Sequence, residues 1–586
     1  MQPRFLWIAG AAGLALTLPA LAQQTQPQPT PTPAPQPLAQ PGGEPATSPV
    51  GELSTGPGES ETTLEDLTTA QLQPPTPPVE YPANARRDPN VVGALDPRQA
   101  GLGASPWGGA SGTFLSTLMR RMDTPIASRW AHIALRDALL AKTRAPRSVN
   151  PVDWVAERAW LLLRLGEADA ARMLIAGVDT DRFTPKMTQV AAQSALANAD
   201  PPALCPLEDG IRKYDGAIRA LVSAICASLS GEPESAFAQI DDARRHGRIG
   251  GIDLNLAEKV VGAAGGGRAA TIEWDPVDRL TAWRFGLATA TGMAVPDRLL
   301  RSSSPQLRAF QARAPLLTAD QRLDSARIAT GLGVFSSQSL IDLYSAIYDS
   351  TDPSDLPTTD AWLLRQAFVG KDRDSRIAAI RKLLDEGKDP LTKEAARALV
   401  ARAATRIDPD PSLGADVPEL ISAMLAAGYD RAAARWIGAI RRMEGEPGDR
   451  AWAMLVLSSS DPRGLDISFS RINGFISRDK SPGKVRSSLL VAALAGLGRI
   501  SIDAASTLNR RNGLGLGKQS KWTSMIDSAA GFGQSGTVLV MTGTGFQTTA
   551  FANVPPEHLY HAVAALQHTG QDFTARMIAA EALSRT

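Results

Sequence analysis

Apolar residues follow two regimes along the chain. From about Thr113 onward they recur with a period near 3.6, as at Trp154, Leu161 and Leu165, at Trp436, Ile437 and Ile440, and at Met577, Ile578 and Leu583. Such spacing puts each set on one face of a helix. The pattern recurs about twenty times in segments of roughly 10 to 17 residues, which predicts an all-α body of helices joined by short turns. Five starts are marked by a capping side chain followed by proline: Asn150-Pro151, Thr184-Pro185, Asp275-Pro276, Asp389-Pro390 and Asp461-Pro462. The first residue accepts a hydrogen bond from an unpaired amide, and proline takes the first helical position, where no amide donor is needed. Strand character is confined to GTVLVMTGTGFQTTAF, Gly536 to Phe551, which reads as a Gly-rich hairpin or an ordered loop.

Four segments share an apolar helix, a glycine, and an alanine five residues later. They are LLLRLGEADAARML with Gly166 and Ala171, CASLSGEPESAFAQI with Gly231 and Ala236, MLAAGYDRAAARWI with Gly428 and Ala433, and ALQHTGQDFTARMI with Gly570 and Ala575. Glycine permits the tight turn between antiparallel helices, and alanine lets two axes approach closely. The spacing resembles the inter-helix turn of tetratricopeptide-type repeats and covers about four hairpins. The resemblance implies an α-solenoid or superhelix of antiparallel hairpins, either tetratricopeptide-like or irregular, in which each hairpin buries its apolar face only against its neighbours.

Ahead of the body the pattern is different. Met1 to Ala22 reads as a secretory signal, with Arg4, an apolar run from Phe5 to Leu18, and Ala20-Leu21-Ala22 as the cleavage site, which puts the mature start at Gln23. Residues 23–112 read as a disordered, acidic tether rich in Pro, Gln and Thr; 18 of the 43 prolines fall between Gln23 and Pro106, favouring extended chain with little to bury. Within the body, the triple glycine Gly265 to Gly267 marks a break, separating an N-terminal lobe, residues 113–265, from a C-terminal lobe, residues 266–586. A softer break lies at Ile407 to Asp416.

Composition sharpens this division. The 586 residues carry a net charge of +1, which excludes the strongly basic balance of a dedicated nucleic-acid binder. Neutrality is a cancellation. Seven acids and Arg4 precede Arg86, so residues 86–586 carry +7. No apolar run after the signal approaches the ~20 residues that span a bilayer.

Candidate chemistry is sparse. Cys205 and Cys226 are the only cysteines; in an oxidising compartment a hairpin brings them into a structural disulfide. The histidines of EHLYHAVAALQH include His558 and His561 beside Glu557, but the four-residue spacing of a zinc-peptidase motif is absent, so they read as surface or helix-end residues. GLGLGKQS, Gly513 to Ser520, lacks the length and the Ser or Thr of a phosphate loop. The densest polar and aromatic patch is Trp274, Asp278, Arg279 and Trp283, a surface-site candidate against a background of tryptophans that read as core. No catalytic residue, metal ligand set or cofactor is assigned. These readings together predict an exported, periplasmic or secreted, non-catalytic helical-repeat protein that binds an envelope protein as a scaffold or assembly factor. The alternative is an all-α lyase or hydrolase acting on envelope polysaccharide.

Overall fold

Each of the four glycine turns closes in the same way in the computed structural model, which describes residues 82–123, 125–212, 216–247, 249–265 and 270–586. Gly166, Gly231, Gly428 and Gly570 all adopt positive φ, between 79° and 108°. At each, the glycine amide bonds back three residues and the next amide bonds back five, as in Gly428 to Leu425 at 3.1 Å and Tyr429 to Met424 at 2.9 Å. This left-handed C-cap pairs carbonyls that the helix end leaves open. Ala171, Ala236, Ala433 and Ala575 then sit fully buried in the second helix. The turn recurs without the alanine at Gly533, where Gln534 bonds to Ala529 at 3.0 Å.

The protein is all-α. Helices of up to 15 residues succeed one another from Gly112 to Ser584, and the one strand pair among the described residues is Val91–Val92 against Thr143–Arg144. Three of the five expected caps start helices: Asn150, Thr184 and Asp389 each accept amides from the first turn of Pro151–Leu165, Pro185–Ala197 and Pro390–Ala404. Asp275 and Asp461 do not. Asp461 is gripped by the Arg463 guanidinium and amide in a turn, and the next helices begin later, capped by Thr281 and Ser468.

The segment expected as a hairpin or loop, Gly536 to Phe551, is mostly helical instead. Ser535–Gly545 is an α-helix buried from Ser535 to Gly543. Its glycines serve close packing rather than turning: a Cβ on Gly536 would come within 2.9 Å of Trp107, and one on Gly543 within 3.0 Å of Leu135. A helix covered on all sides shows no polar stripe, so its sequence loses the 3.6-residue signature.

The Pro-rich tether also ends earlier than residue 112. Val92, Leu102 and Trp107 are buried; the Trp107 indole donates to the Thr143 hydroxyl at 2.8 Å and packs edge-on against Trp154. Ser535 donates to the Leu102 carbonyl at 2.6 Å, tying this stretch to the helix Ser535–Gly545. The signal and residues 23–81 lie outside the described residues.

Two apolar cores result. The larger takes side chains from Val92 to Leu583, from both sides of the triple glycine. The smaller gathers residues between Ala191 and Ala288, so the expected lobe boundary at 265/266 runs through it. Gly265 ends the helix Gly251–Gly265; Gly266 and Gly267 lie outside the described residues. Ile407 to Asp416 is a turn between the packed helices Pro390–Ala404 and Asp416–Ala426.

The chain's early and late helices meet directly. Arg129–Leu140 packs on Ser535–Gly545 and on Asp572–Ser584. The buried Arg129 side chain also donates to the Thr330 carbonyl at 3.0 Å and the Ala426 carbonyl at 2.6 Å, the C-terminal turns of Ala319–Leu332 and Asp416–Ala426. Carbonyls left open at helix ends are natural partners for a guanidinium.

Candidate binding cleft

A charged cleft of about 480 Å³ opens beside the helix Gly445–Ser458. That helix presents Asp449 and Trp452, three residues apart and therefore on one face. The chain then crosses back over the same face. The Trp452 indole donates to the Asp466 carbonyl at 2.9 Å, while the Asp466 carboxylate accepts the Ser468 amide at 2.8 Å. Ser468 caps the next helix, Phe469–Arg478, by accepting the Arg471 amide at 3.2 Å. Arg471 and Arg478, seven apart, lie on one side of that helix and both reach Asp449.

The Arg478 fork holds both Asp449 oxygens, at 2.7 and 3.0 Å, and Arg471 holds one at 2.8 Å. Burial pushes the Asp449 carboxyl up, but the hydrogen bonds and charges of Arg478 and Arg471 outweigh it and hold the carboxyl below its ordinary value. The Arg471 guanidinium lies 4.1 Å from the Trp452 ring centroid, a cation–π contact. Arg441 donates through Nε to the Gly464 carbonyl at 2.6 Å. Gly464 sits close under these side chains: a Cβ there would meet the Arg441 guanidinium and an Ile437 methyl at 2.9 Å. Ile440, Met443 and Leu465 supply apolar wall, and Glu444 stands at the mouth. The outer side of Phe469–Arg478 packs with Ile502–Asn512. The two leave Phe469 36% and Ile502 57% exposed, with the Arg511 guanidinium 5.2 Å from the Phe469 ring.

The residues singled out from sequence fall elsewhere. Trp283 is buried and donates to the Asp253 carbonyl at 3.1 Å. Trp274 is half-buried against both cores, its indole on the Met293 sulfur. Asp278 and Arg279 are exposed on the loop between them. His558 donates through Nδ1 to the Gly545 carbonyl at 3.0 Å and packs on Trp522, whereas His561 pairs with Asp527 at 2.8 Å. No group of three or more potential metal ligands occurs among the described residues.

Cys205 and Cys226 are joined, with their Cα atoms 5.6 Å apart, linking the turn Pro201–Leu207 to the helix Gly216–Leu229 at the smaller core. Among the described residues no helix is long and apolar enough to cross a membrane.

The cleft residues carried two sequence signals, the Asp449/Trp452 spacing and the seven-residue Arg471/Arg478 spacing, but the crossing that brings them together did not. Comparison with known proteins returns no match: no family model, no curated protein and no solved structure is similar to this chain.

Proposed function

We propose that this is an exported, non-catalytic helical-repeat protein that binds an acidic envelope protein as a scaffold or assembly factor. The observation that carries the reading is exposed Phe469 at the start of the helix Phe469–Arg478, with the Arg511 guanidinium of Ile502–Asn512 5.2 Å from its ring and Ile502 exposed at the start of that second helix. Apolar side chains rimmed by arginine are the composition of a protein-docking patch, and the arginines select a partner that surrounds its own apolar contact with carboxylates. Export is supported by the signal-like residues 1–22 and by the Cys205–Cys226 disulfide, a bond that persists in oxidising compartments.

Photo-crosslinkers placed at Phe469 and Ile502 in the full chain, with Leu229 as an exposed apolar control, test the docking face in intact cells. The reading expects one acidic protein captured from both positions, absent from the control, and lost when Arg510 and Arg511 are changed to Glu. Equal capture from Leu229, or capture indifferent to that charge reversal, overturns it. Export is tested separately by N-terminal sequencing: a periplasmic or secreted chain beginning at Gln23 supports it, and a cytoplasmic chain retaining the first 22 residues overturns it.

A further inference from the structure

We infer that the cleft walled by Arg441, Met443, Glu444, Leu465 and Arg471 binds a free α-amino acid with an apolar side chain. This stands apart from the docking reading, since it uses none of Phe469, Ile502, Arg510 and Arg511. The size fits: about 480 Å³ lies within the roughly 300 to 1,000 Å³ of small-molecule sites.

The charges narrow the class. Three arginines and three acids line the cleft, and most are already committed. Asp449 is held by Arg471 and Arg478, and Asp466 by the Ser468 amide. What is left is selective. Arg441 uses Nε on the Gly464 carbonyl and Arg471 uses Nη1 on Asp449; their remaining nitrogens make no hydrogen bond to the described residues, although the Arg471 charge also acts on Asp466. The Glu444 carboxylate likewise accepts no hydrogen bond there. Two guanidinium groups of fixed orientation suit a carboxylate, and one unpaired carboxylate suits an ammonium. A phosphate meets the same acids with more negative charge and brings no ammonium to answer Glu444, which disfavours it. Ile440, Met443 and Leu465 leave apolar wall for the ligand's side chain.

Arg471 is positioned in advance by Asp449 and the Trp452 face, so little side-chain freedom remains to be lost on binding. Arg441 and Glu444 are exposed, and substitution there leaves the core intact.

Isothermal titration of the full chain with L-alanine, L-valine, L-leucine and L-methionine, and with leucinamide, 4-methylpentanoate and inorganic phosphate, tests the inference. At least one amino acid is expected to bind. Leucinamide, which lacks the carboxylate, and 4-methylpentanoate, which lacks the ammonium, are expected to bind at least about tenfold more weakly than leucine; phosphate is expected not to bind. Glu444→Gln should weaken leucine more than 4-methylpentanoate, and Arg441→Gln should weaken leucine more than leucinamide, with the circular dichroism melt of both variants unchanged. The inference is overturned by absence of binding for every amino acid up to about 10 mM, by equal binding of leucine and its two truncated analogues, by tighter binding of phosphate, or by affinities indifferent to both substitutions.

Discussion

The Glu581 carboxylate accepts the Arg129 amide at 2.7 Å, across 452 residues of sequence. It also takes the Ser128 hydroxyl at 2.5 Å and the Arg585 guanidinium at 2.7 Å. A side chain of the helix Asp572–Ser584 thus caps the start of the helix Arg129–Leu140, with Arg129 itself reaching on to two further helix ends.

Changing Glu581 to Gln removes the directly bonded one of two counter-charges, the other being buried Glu394, from a site where Arg129 and Arg585 are nearly buried. Breaking a buried pair by neutralising one partner costs about 3 to 5 kcal/mol. A urea titration of Glu581→Gln should show a loss of that order, and a change under about 1 kcal/mol would show that the cap is replaceable by water.

Asp449 gives a pH dependence of definite sign. Its folded carboxyl titrates below the ordinary aspartate value of 3.8, where burial opposes and the two arginines prevail. The unfolded chain therefore binds the proton more readily, and the stability from the ion pairs is complete above that value and lost as pH falls through the lower folded one. Denaturation of wild type and Asp449→Asn should differ by a constant amount at neutral pH. The gap should close on acidification below 3.8; a gap that persists at low pH would assign the effect to shape alone.

Turn glycines separate conformational strain from crowding. Gly231 at φ 86° has open space where a Cβ would go, whereas at Gly428, φ 79°, the Cβ would lie 2.9 Å from the Trp130 ring. That ring is held by its bond to the Leu425 carbonyl at 3.2 Å and by edge contact with Phe573. Gly231→Ala should cost about 1 to 2 kcal/mol, the left-handed penalty alone. Gly428→Ala should add about 1 to 3 kcal/mol of overpacking, visible as a larger drop in the denaturation midpoint.

The disulfide acts on the smaller core. Cys205 and Cys226 enclose a loop with a sequence separation of 21, for which chain entropy predicts about 3 kcal/mol. Replacing both with serine should speed hydrogen exchange across residues 191–288 while the helix Arg129–Leu140 keeps its protection. Uniform loss of protection would mean that the two cores unfold together.

What could be read from sequence followed the range of the forces involved. The glycine turns were legible because a left-handed residue and a small residue five later form one local unit, as at Gly570 and Ala575. The helix Ser535–Gly545 was not legible, because it carries β-branched Val538 and Val540 together with glycines, and its packing at Gly536 and Gly543 is against Trp107 and Leu135, remote in sequence. Local strand preference is weak against full burial of Val538 and Val540. Trp274 and Trp283 are close in sequence yet divide between a loop and the core, while the cleft depends on Asp449 meeting a helix that starts twenty residues later.

The cap at Glu581 also sets an order of events during synthesis. The Arg129 and Trp130 amides wait for an acceptor until nearly the whole chain has been translated, and the Arg129 guanidinium must join two intervening helix ends in the meantime. Contacts this far apart in sequence slow folding, because a long loop has to close before they return any stabilisation. The nascent protein therefore passes through a stage in which most helices exist and the contact of Arg129–Leu140 with Asp572–Ser584 does not.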